Sequence, residues 1–292
     1  MWPYDGRTYN LALDLHADTY ETFRQRERRR DYDLFASDQF SKRFVKEITR
    51  KLARYGKASG LHDSEIPYFI ASFVQNLPYT VDDVTTGYDE YPRFPYETLY
   101  DNGGDCEDTS ILASAMLHEL RYEVALLHFP GHMAVGFACR PAFGQQYYRH
   151  DGKRYCYLET TVDDWGVGVV PPSIRGVPVT VKPIIARPVM RVEFIAEYRQ
   201  LIDTVAVDVT ASIKNLGSET AHGATVHVAL RKPGTHYAWD QTESHRFRLT
   251  PEESVTYTAS DLRVRSGEPF QVYVLARGRN FRSEEVISKV LP

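Results

Sequence analysis

The chain has 292 residues, room for two ordinary domains. With 42% hydrophobic and 25% charged residues it has the balance of a folded globular protein, which excludes a disordered one. Lys plus Arg number 35 against 39 Asp plus Glu, a net charge of −4 that excludes a strongly basic, nucleic-acid-coating protein, and no run approaches the roughly 18 apolar residues of a membrane span.

The opening Met1-Trp2-Pro3-Tyr4 has neither the basic nor the apolar region of a signal peptide, so none is expected there. Arg24 to Arg30 holds five arginines, a candidate anion site, but Glu27, Asp31 and Asp33 dilute it to a solvated helix face. From Gln39 to Tyr55, Phe40, Phe44, Val45, Ile48 and Leu52 recur at helical spacing, with Lys and Arg opposite. Asp63-Ser64-Glu65 reads as the start of a second helix, whose apolar stripe Ile66, Phe69, Ile70 and Phe73 runs toward Pro78. Tyr79 to Asn102, rich in Tyr, Pro, Asp and Gly, reads as a long ordered loop, and loops of that length tend to be functional. Its Asp82, Asp83, Asp89 and Glu90 lack the fixed ligand spacing of an EF-hand, so a solvated acidic loop is expected rather than a calcium site. Its Tyr79, Tyr88, Tyr91, Phe94 and Tyr96 suit either a substrate wall or packing that orders the loop. A third helix is expected from Cys106 to Arg121.

The period then changes from helical to alternating. Glu123–Phe129, His132–Cys139 and Gln145–Thr160 read as strands, the last divided by a His150-Asp151-Gly152-Lys153 hairpin turn. Helices followed by antiparallel strands indicate an α+β domain. Val177 to Arg191, interrupted by Pro178, Pro183 and Pro188, reads as a connector. Beyond it, alternating segments at 205–209, 226–230, 246–249, 255–257 and 270–274 between turn residues predict a β-sandwich. The domains are thus placed at 1–190 and 191–292. A Cys139–Cys156 bridge is conceivable in an oxidising compartment and leaves Cys106 free; both cysteines lie inside apolar strands and read as core residues.

Chemistry concentrates in Gly103-Gly104-Asp105-Cys106-Glu107-Asp108. Two glycines allow a tight turn, Asp105 is placed as N-cap, and Asp108 stands three residues on at the capping-box position. Cys106 then falls in the first helical turn, where the helix terminus favours a thiolate while the neighbouring carboxylates oppose it. A cationic partner is needed, and His132, after a Gly turn at the start of an apolar strand, is the best placed of ten histidines. Glu159, closing a later strand, can orient the imidazole as the third member of a triad.

These residues carry a family resemblance. Gly104-Asp105-Cys106-Glu107-Asp108, Pro130-Gly131-His132 and Tyr157-Leu158-Glu159-Thr160-Thr161 resemble the core of the transglutaminase-like superfamily, with its papain-like cysteine-peptidase fold; Phe73-Val74-Gln75-Asn76-Leu77-Pro78-Tyr79 and Pro95-Tyr96-Glu97-Thr98-Leu99 fit bacterial and archaeal members. The resemblance covers residues 60 to 175. It implies Cys106 as nucleophile, His132 as general base and acid, Glu159 as orienter, and Gln75 as an oxyanion donor beside the Cys106 N–H. The family more often has Asp as third member; if Glu159 is structural, Asp163 or Asp164 takes its place. The region from 196 resembles immunoglobulin-like surface modules through Asn215-Leu216-Gly217.

The resulting expectation is a transglutaminase-like α+β domain followed by an immunoglobulin-like β-sandwich. Its activity is acyl transfer through a thioester on a peptide or protein substrate, hydrolytic by preference, with transglutaminase cross-linking as an alternative. A non-catalytic adhesion or peptide-binding protein, with the sandwich meeting a surface partner, is the rival. No cofactor, metal, nucleic acid or membrane span is expected. The compartment stays open: an extracytoplasmic or cell-surface setting is expected if a signal or anchor has been removed, and a cytoplasmic one otherwise.

Overall fold

A computed structural model describes residues 1–80, 91–140, 144–163 and 165–291. The chain forms two compact units, Met1–Ile185 and Ala186–Pro292.

The first unit opens with a hairpin, β1 (Trp2–Tyr4) and β2 (Arg7–Tyr9), followed by helices α1 (Ala17–Arg24), α2 (Tyr32–Ala36), α3 (Gln39–Ala58), α4 (Ile66–Gln75), α5 (Pro95–Tyr100) and α6 (Cys106–Glu119). Helix α3 starts where the Asp38 carboxylate accepts from the Ser41 N–H, and it buries Val45, Ile48 and Leu52. Phe40, read as part of the apolar stripe, is 50% exposed, because in the first turn it is the neighbouring Ser41 that faces inward. At the head of α4 the Glu65 carboxylate accepts from the His62 N–H. Helix α5 lies inside the segment read as a loop. Pro95 occupies its first position, and Glu97 reaches back to accept from the Phe94 N–H, two local devices that start a helix.

Helix α6 is buried on every side from Asp108 to Leu117, packed among α2, α3, α4 and α5 and against the sheet. That sheet is antiparallel, in the order β5 (Tyr147–His150), β6 (Lys153–Leu158), β4 (His132–Ala138), β3 (Val124–Phe129), β7 (Thr180–Pro183). The β3–β4 hairpin turns on Pro130-Gly131, with Gly131 at φ +70°, and pairs Phe129 with His132. The β5–β6 hairpin turns on Asp151 and Gly152, both at positive φ. Strand β7 sits in the stretch read as a connector; its one proline, Pro183, is tolerated because the strand pairs on one side only, as an edge strand.

A disulfide joins Cys139 to Cys156. Cys156 is buried in β6, but Cys139 lies just past the end of β4 and is partly exposed. The core reading therefore holds for Cys156 alone; Cys139 still donates its N–H to the Arg154 carbonyl at 3.2 Å, but at the sheet margin it stays partly exposed.

The arginine run is not a solvated helix face. Arg24 is the exposed last residue of α1, and the rest of the run follows the helix, where Arg26 pairs with Asp38 at 2.7 Å and lies 4.0 Å over the Phe94 ring, while Arg28 pairs with buried Glu97 at 2.7 Å. Buried carboxylates and aromatic faces hold these guanidinium groups. The acidic residues Asp82, Asp83, Asp89 and Glu90 and Tyr88 lie outside the described residues.

The second unit consists of two antiparallel sheets. One has the order β13 (Ser254–Arg265), β9 (Thr204–Asn215), β8 (Met190–Gln200); the other runs β11 (Ala238–Glu243), β10 (Ala221–Arg231), β14 (Gln271–Arg277), β15 (Glu284–Ile287), with β12 (Phe247–Leu249) beside β10. Val207, Val209, Ala211 and Ile213 of β9 alternate inward and share one core with Val226, Val228 and Leu230 of β10 and Val272 and Val274 of β14. The unit is thus a two-layer sandwich. The Asn215 side chain, fully buried, accepts from the Val189 and Gly217 N–H groups and donates to the Glu219 and Leu249 carbonyls. Gly217 is obligatory there, since a Cβ would lie 2.2 Å from the Arg187 carbonyl oxygen.

Candidate active site

The turn before α6 is built by close approach. A Cβ on Gly103 would stand 2.6 Å from the Pro78 carbonyl oxygen, and one on Gly104 would stand 2.5 Å from Asp108 Cβ. The Asp105 carboxylate then accepts from the Glu107 and Asp108 N–H groups at 3.1 and 3.3 Å, and Asp108 accepts in return from the Asp105 N–H. This closes the capping box and fixes Cys106 as the first residue of the helix. There its own N–H has no intrahelical acceptor and projects the positive end of the helix.

Asp108 is fully buried and carries a second duty. It accepts from the Arg93 N–H at 2.7 Å and pairs with the Arg93 guanidinium, which also donates to Asp101 at 3.0 Å. Arg93 is 1% exposed. A buried arginine between two carboxylates clamps the segment before α5 to the head of α6. Composition alone did not single out Arg93, because its partner stands far downstream in the chain.

Cys106 is the free cysteine, partly exposed, with its thiol donating to Glu107 Oε2 at 2.9 Å. Burial pushes this thiol well above its ordinary value; the Glu107 carboxylate adds to the rise, and a backbone hydrogen bond from Met133 opposes it. That last contact joins the sulfur to the residue following His132. Ser110 reinforces the junction by donating to the Met133 carbonyl at 3.2 Å.

His132 opens β4 and hydrogen-bonds through Nε2 to Glu159 Oε2 at 3.1 Å and to the Tyr157 hydroxyl at 3.3 Å. Nδ1 is the ring nitrogen left by these contacts. Glu159, just beyond β6 and 2% exposed, is saturated with donors. Oε2 accepts from the Tyr157 hydroxyl at 2.5 Å, and Oε1 from the Thr160 N–H, the Thr161 N–H and the Thr161 hydroxyl at 2.9, 3.1 and 2.8 Å. Burial alone raises this carboxyl; the hydrogen bonds from His132, Tyr157 and Thr161, with the imidazole's charge, outweigh it and bring it down to about 2. Tyr157 is itself driven upward by burial and by Glu159, so it stays a neutral donor.

The Glu159 segment is tied to α6 by hydroxyls. Thr160 Oγ1 lies 3.0 Å from Thr109 Oγ1 and 3.1 Å from Ser110 Oγ. Gln75, at the end of α4, donates through Nε2 to the Glu159 carbonyl at 2.8 Å and to the Trp165 carbonyl at 3.3 Å. Both amide hydrogens are thereby committed to backbone, so in this structure Gln75 braces the Glu159 loop and is not an open oxyanion donor. Sequence reasoning made Gln75 an oxyanion donor, but an amide's direction is decided by tertiary partners. Asp163 is exposed, and Asp164 lies outside the described residues; it is Glu159 that meets the imidazole. Tyr157, Thr109, Ser110 and Thr160 were not anticipated in these positions. The spacing of Tyr157 and Glu159 on one strand face was the available signal.

No protein-family model matches the chain, and no curated protein matches it in sequence. Solved structures similar to it include the putative ApaA protein of Bordetella pertussis (16% identity, TM-score 0.25, covering 37% of this chain and 94% of that one). EGTA-treated LapG of Legionella pneumophila aligns at 18% identity and TM-score 0.29, over 49% of this chain and 78% of that one. Red sea bream transglutaminase aligns at 10% identity and TM-score 0.32, over 89% of this chain and 59% of that one. At identities and TM-scores this low, the functional reading rests on the site's own geometry. Among the described residues no group of His, Cys, Asp and Glu is arranged to hold a metal, and no helix is long and apolar enough to cross a membrane.

Proposed function

We propose that the first unit is a transglutaminase-like thiol acyltransferase acting on peptide or carboxamide bonds, chiefly as a hydrolase. The observation that carries this reading is the part-buried Glu159–His132 hydrogen bond, together with a free cysteine at a helix N-terminus whose sulfur meets the backbone of Met133, the residue after His132. Glu159 holds the Nε2 edge of the ring, which assigns the proton to Nε2 and leaves Nδ1 as the base. In the resting site the nucleophile is a thiol hydrogen-bonded to Glu107. As a substrate carbonyl arrives, His132 takes the thiol proton while sulfur attacks carbon. The Cys106 N–H and the helix terminus stabilise the oxyanion. The imidazolium then protonates the leaving amine, and water attacks the thioester with His132 again as base. An amine in place of water makes the same site a transglutaminase. No cofactor enters these steps.

The disulfide favours an oxidising, extracytoplasmic compartment. The two-layer second unit suits the immunoglobulin-like role of a surface-contacting module. A second reading, a non-catalytic peptide-binding protein, is favoured by one observation: burial and Glu107 hold the Cys106 thiol protonated.

The test is acyl-enzyme trapping with activated peptide esters and anilides, quenched in acid and read by mass spectrometry. A thioester on Cys106, formed about 100-fold or more slowly in His132→Ala, is expected. No adduct on Cys106, or equal rates in both proteins, refutes the catalytic reading and leaves the binding protein. Adding a primary amine then measures how the thioester divides between water and amine.

A further inference from the structure

Helix α3 carries a charge pattern unrelated to the thiol site. In its sequence stand Lys42, Arg43, Lys46, Arg50, Lys51, Arg54 and Lys57, against Glu47 as its one acid, in a chain whose net charge is −4. At 3.6 residues per turn, all but Lys51 fall within about a third of the helix circumference, on the side away from Val45, Ile48 and Leu52. They extend along roughly 22 Å of helix at 1.5 Å per residue. All six are exposed and, with the exposed Glu47 among them, line one open face of α3.

These cations are not neutralised by the fold. Lys57 pairs with Asp63 at 2.7 Å, where both are largely exposed, a pairing of little energetic weight. Lys42, Arg43, Lys46, Arg50 and Arg54 make no ion pair with any carboxylate among the described residues. Contrast Arg26, Arg28 and Arg93 in the same unit, each held by a buried or half-buried carboxylate. Five cations on one face with only Glu47 among them keep a net excess of positive charge, whose self-repulsion an external anion relieves.

The form of the patch indicates which anion. Mid-helix backbone N–H groups are already bonded within the helix, so only flexible side-chain tips can reach a ligand. The lining comes from one element, so nothing encircles a ligand or fixes a particular anion geometry. Such a ridge is poorly suited to a shaped small molecule or to a peptide that needs backbone contacts. It suits a plane of many mobile negative headgroups, against which a straight row of long cations lies flat. We propose that the α3 ridge is an electrostatic docking surface for an anionic lipid bilayer, holding this unit at a membrane without insertion.

Each Lys or Arg close to an anionic leaflet is worth about five-fold in binding. Reversing three of them, in Lys46→Glu/Arg50→Glu/Arg54→Glu, therefore weakens vesicle binding by roughly 100-fold or more. The residues are exposed, so the fold should persist, which circular dichroism and the thermal midpoint check. The assay is co-sedimentation of the whole chain with phosphatidylserine–phosphatidylcholine vesicles and with phosphatidylcholine alone. Binding to the anionic vesicles only, lost in the triple variant and at about 0.5 M salt, is expected. Absence of binding, equal binding to both vesicles, or unchanged binding by a folded triple variant overturns the proposal. Retention on heparin without vesicle binding also overturns it, in favour of a soluble polyanion.

Discussion

Glu159→Gln tests the electrostatics of the site without requiring a known substrate. In the native protein this carboxyl is held at about 2, against 4.5 when unperturbed. By linkage, that difference stabilises the folded state by about 3 kcal/mol at neutral pH. The native value is the lower one, so the unfolded chain binds the extra proton first as pH falls. The stabilisation is thus complete above about pH 5, and only about 1.4 kcal/mol of it remains at pH 3. Glutamine keeps the size of the side chain, and its carbonyl can still accept from Thr160 and Thr161. Its NH₂ group, however, would face the Tyr157 hydroxyl and His132 Nε2, forcing Nε2 to accept and moving the imidazole proton to Nδ1. Two outcomes follow. Urea unfolding at pH 7 should show the variant less stable by about 3 kcal/mol, and the wild-type protein should lose about 2 kcal/mol more than the variant between pH 7 and pH 3. Acylation of Cys106 should fall by about 10³-fold to 10⁴-fold, because the tautomer is wrong for a base at Nδ1. Identical pH dependence of stability in the two proteins would refute the assignment of Glu159 as a buried, imidazole-paired carboxylate.

Glu107→Gln removes the carboxylate that accepts the Cys106 thiol and raises its pKa, so the thiol should ionise at lower pH; iodoacetamide should label Cys106 faster at neutral pH, and an unchanged rate contradicts the assignment. Asp108→Asn leaves the Arg93 charge buried with only Asp101 and breaks the capping box, which should destabilise the chain by about 3–5 kcal/mol in urea unfolding. A loss below about 1 kcal/mol would mean that the clamp is not an ion pair. Reducing the Cys139–Cys156 bridge, whose cysteines are 17 residues apart, should lower stability by about 3 kcal/mol. A thermal midpoint unaffected by dithiothreitol would show that the bridge does not constrain the unfolded chain.

What was legible in the sequence shares a physical property: the residues concerned are satisfied within a turn or two of their own position. Asp105 caps the helix that begins at the next residue, Asp108 answers from three residues on, and Asp151-Gly152 turns its own hairpin. Helix α5 belongs to this class too, since Pro95 and Glu97 are local signals, but they were masked by the surrounding Tyr- and Pro-rich composition. Strand β7 was hidden differently: prolines that break a central strand are harmless on an edge, and which strand is the edge is a property of the sheet. The arginines at 26 and 28 look solvated in sequence because their neighbours are charged, yet they are held by Asp38 and Glu97 from other elements. Gln75 marks the limit of such reading most sharply. Its identity and place near the site were readable, but whether an amide donates to an oxyanion or to the Glu159 and Trp165 carbonyls depends on a loop more than eighty residues away. Cys106 at its helix terminus is a local consequence of the capping box, whereas the partnership of His132 with Glu159 depends on two strand ends meeting. Perturbing the braces that bring those ends to α6, Thr109, Ser110 and Thr160, should therefore disturb the His132–Glu159 pair before it disturbs the helix that carries the thiol.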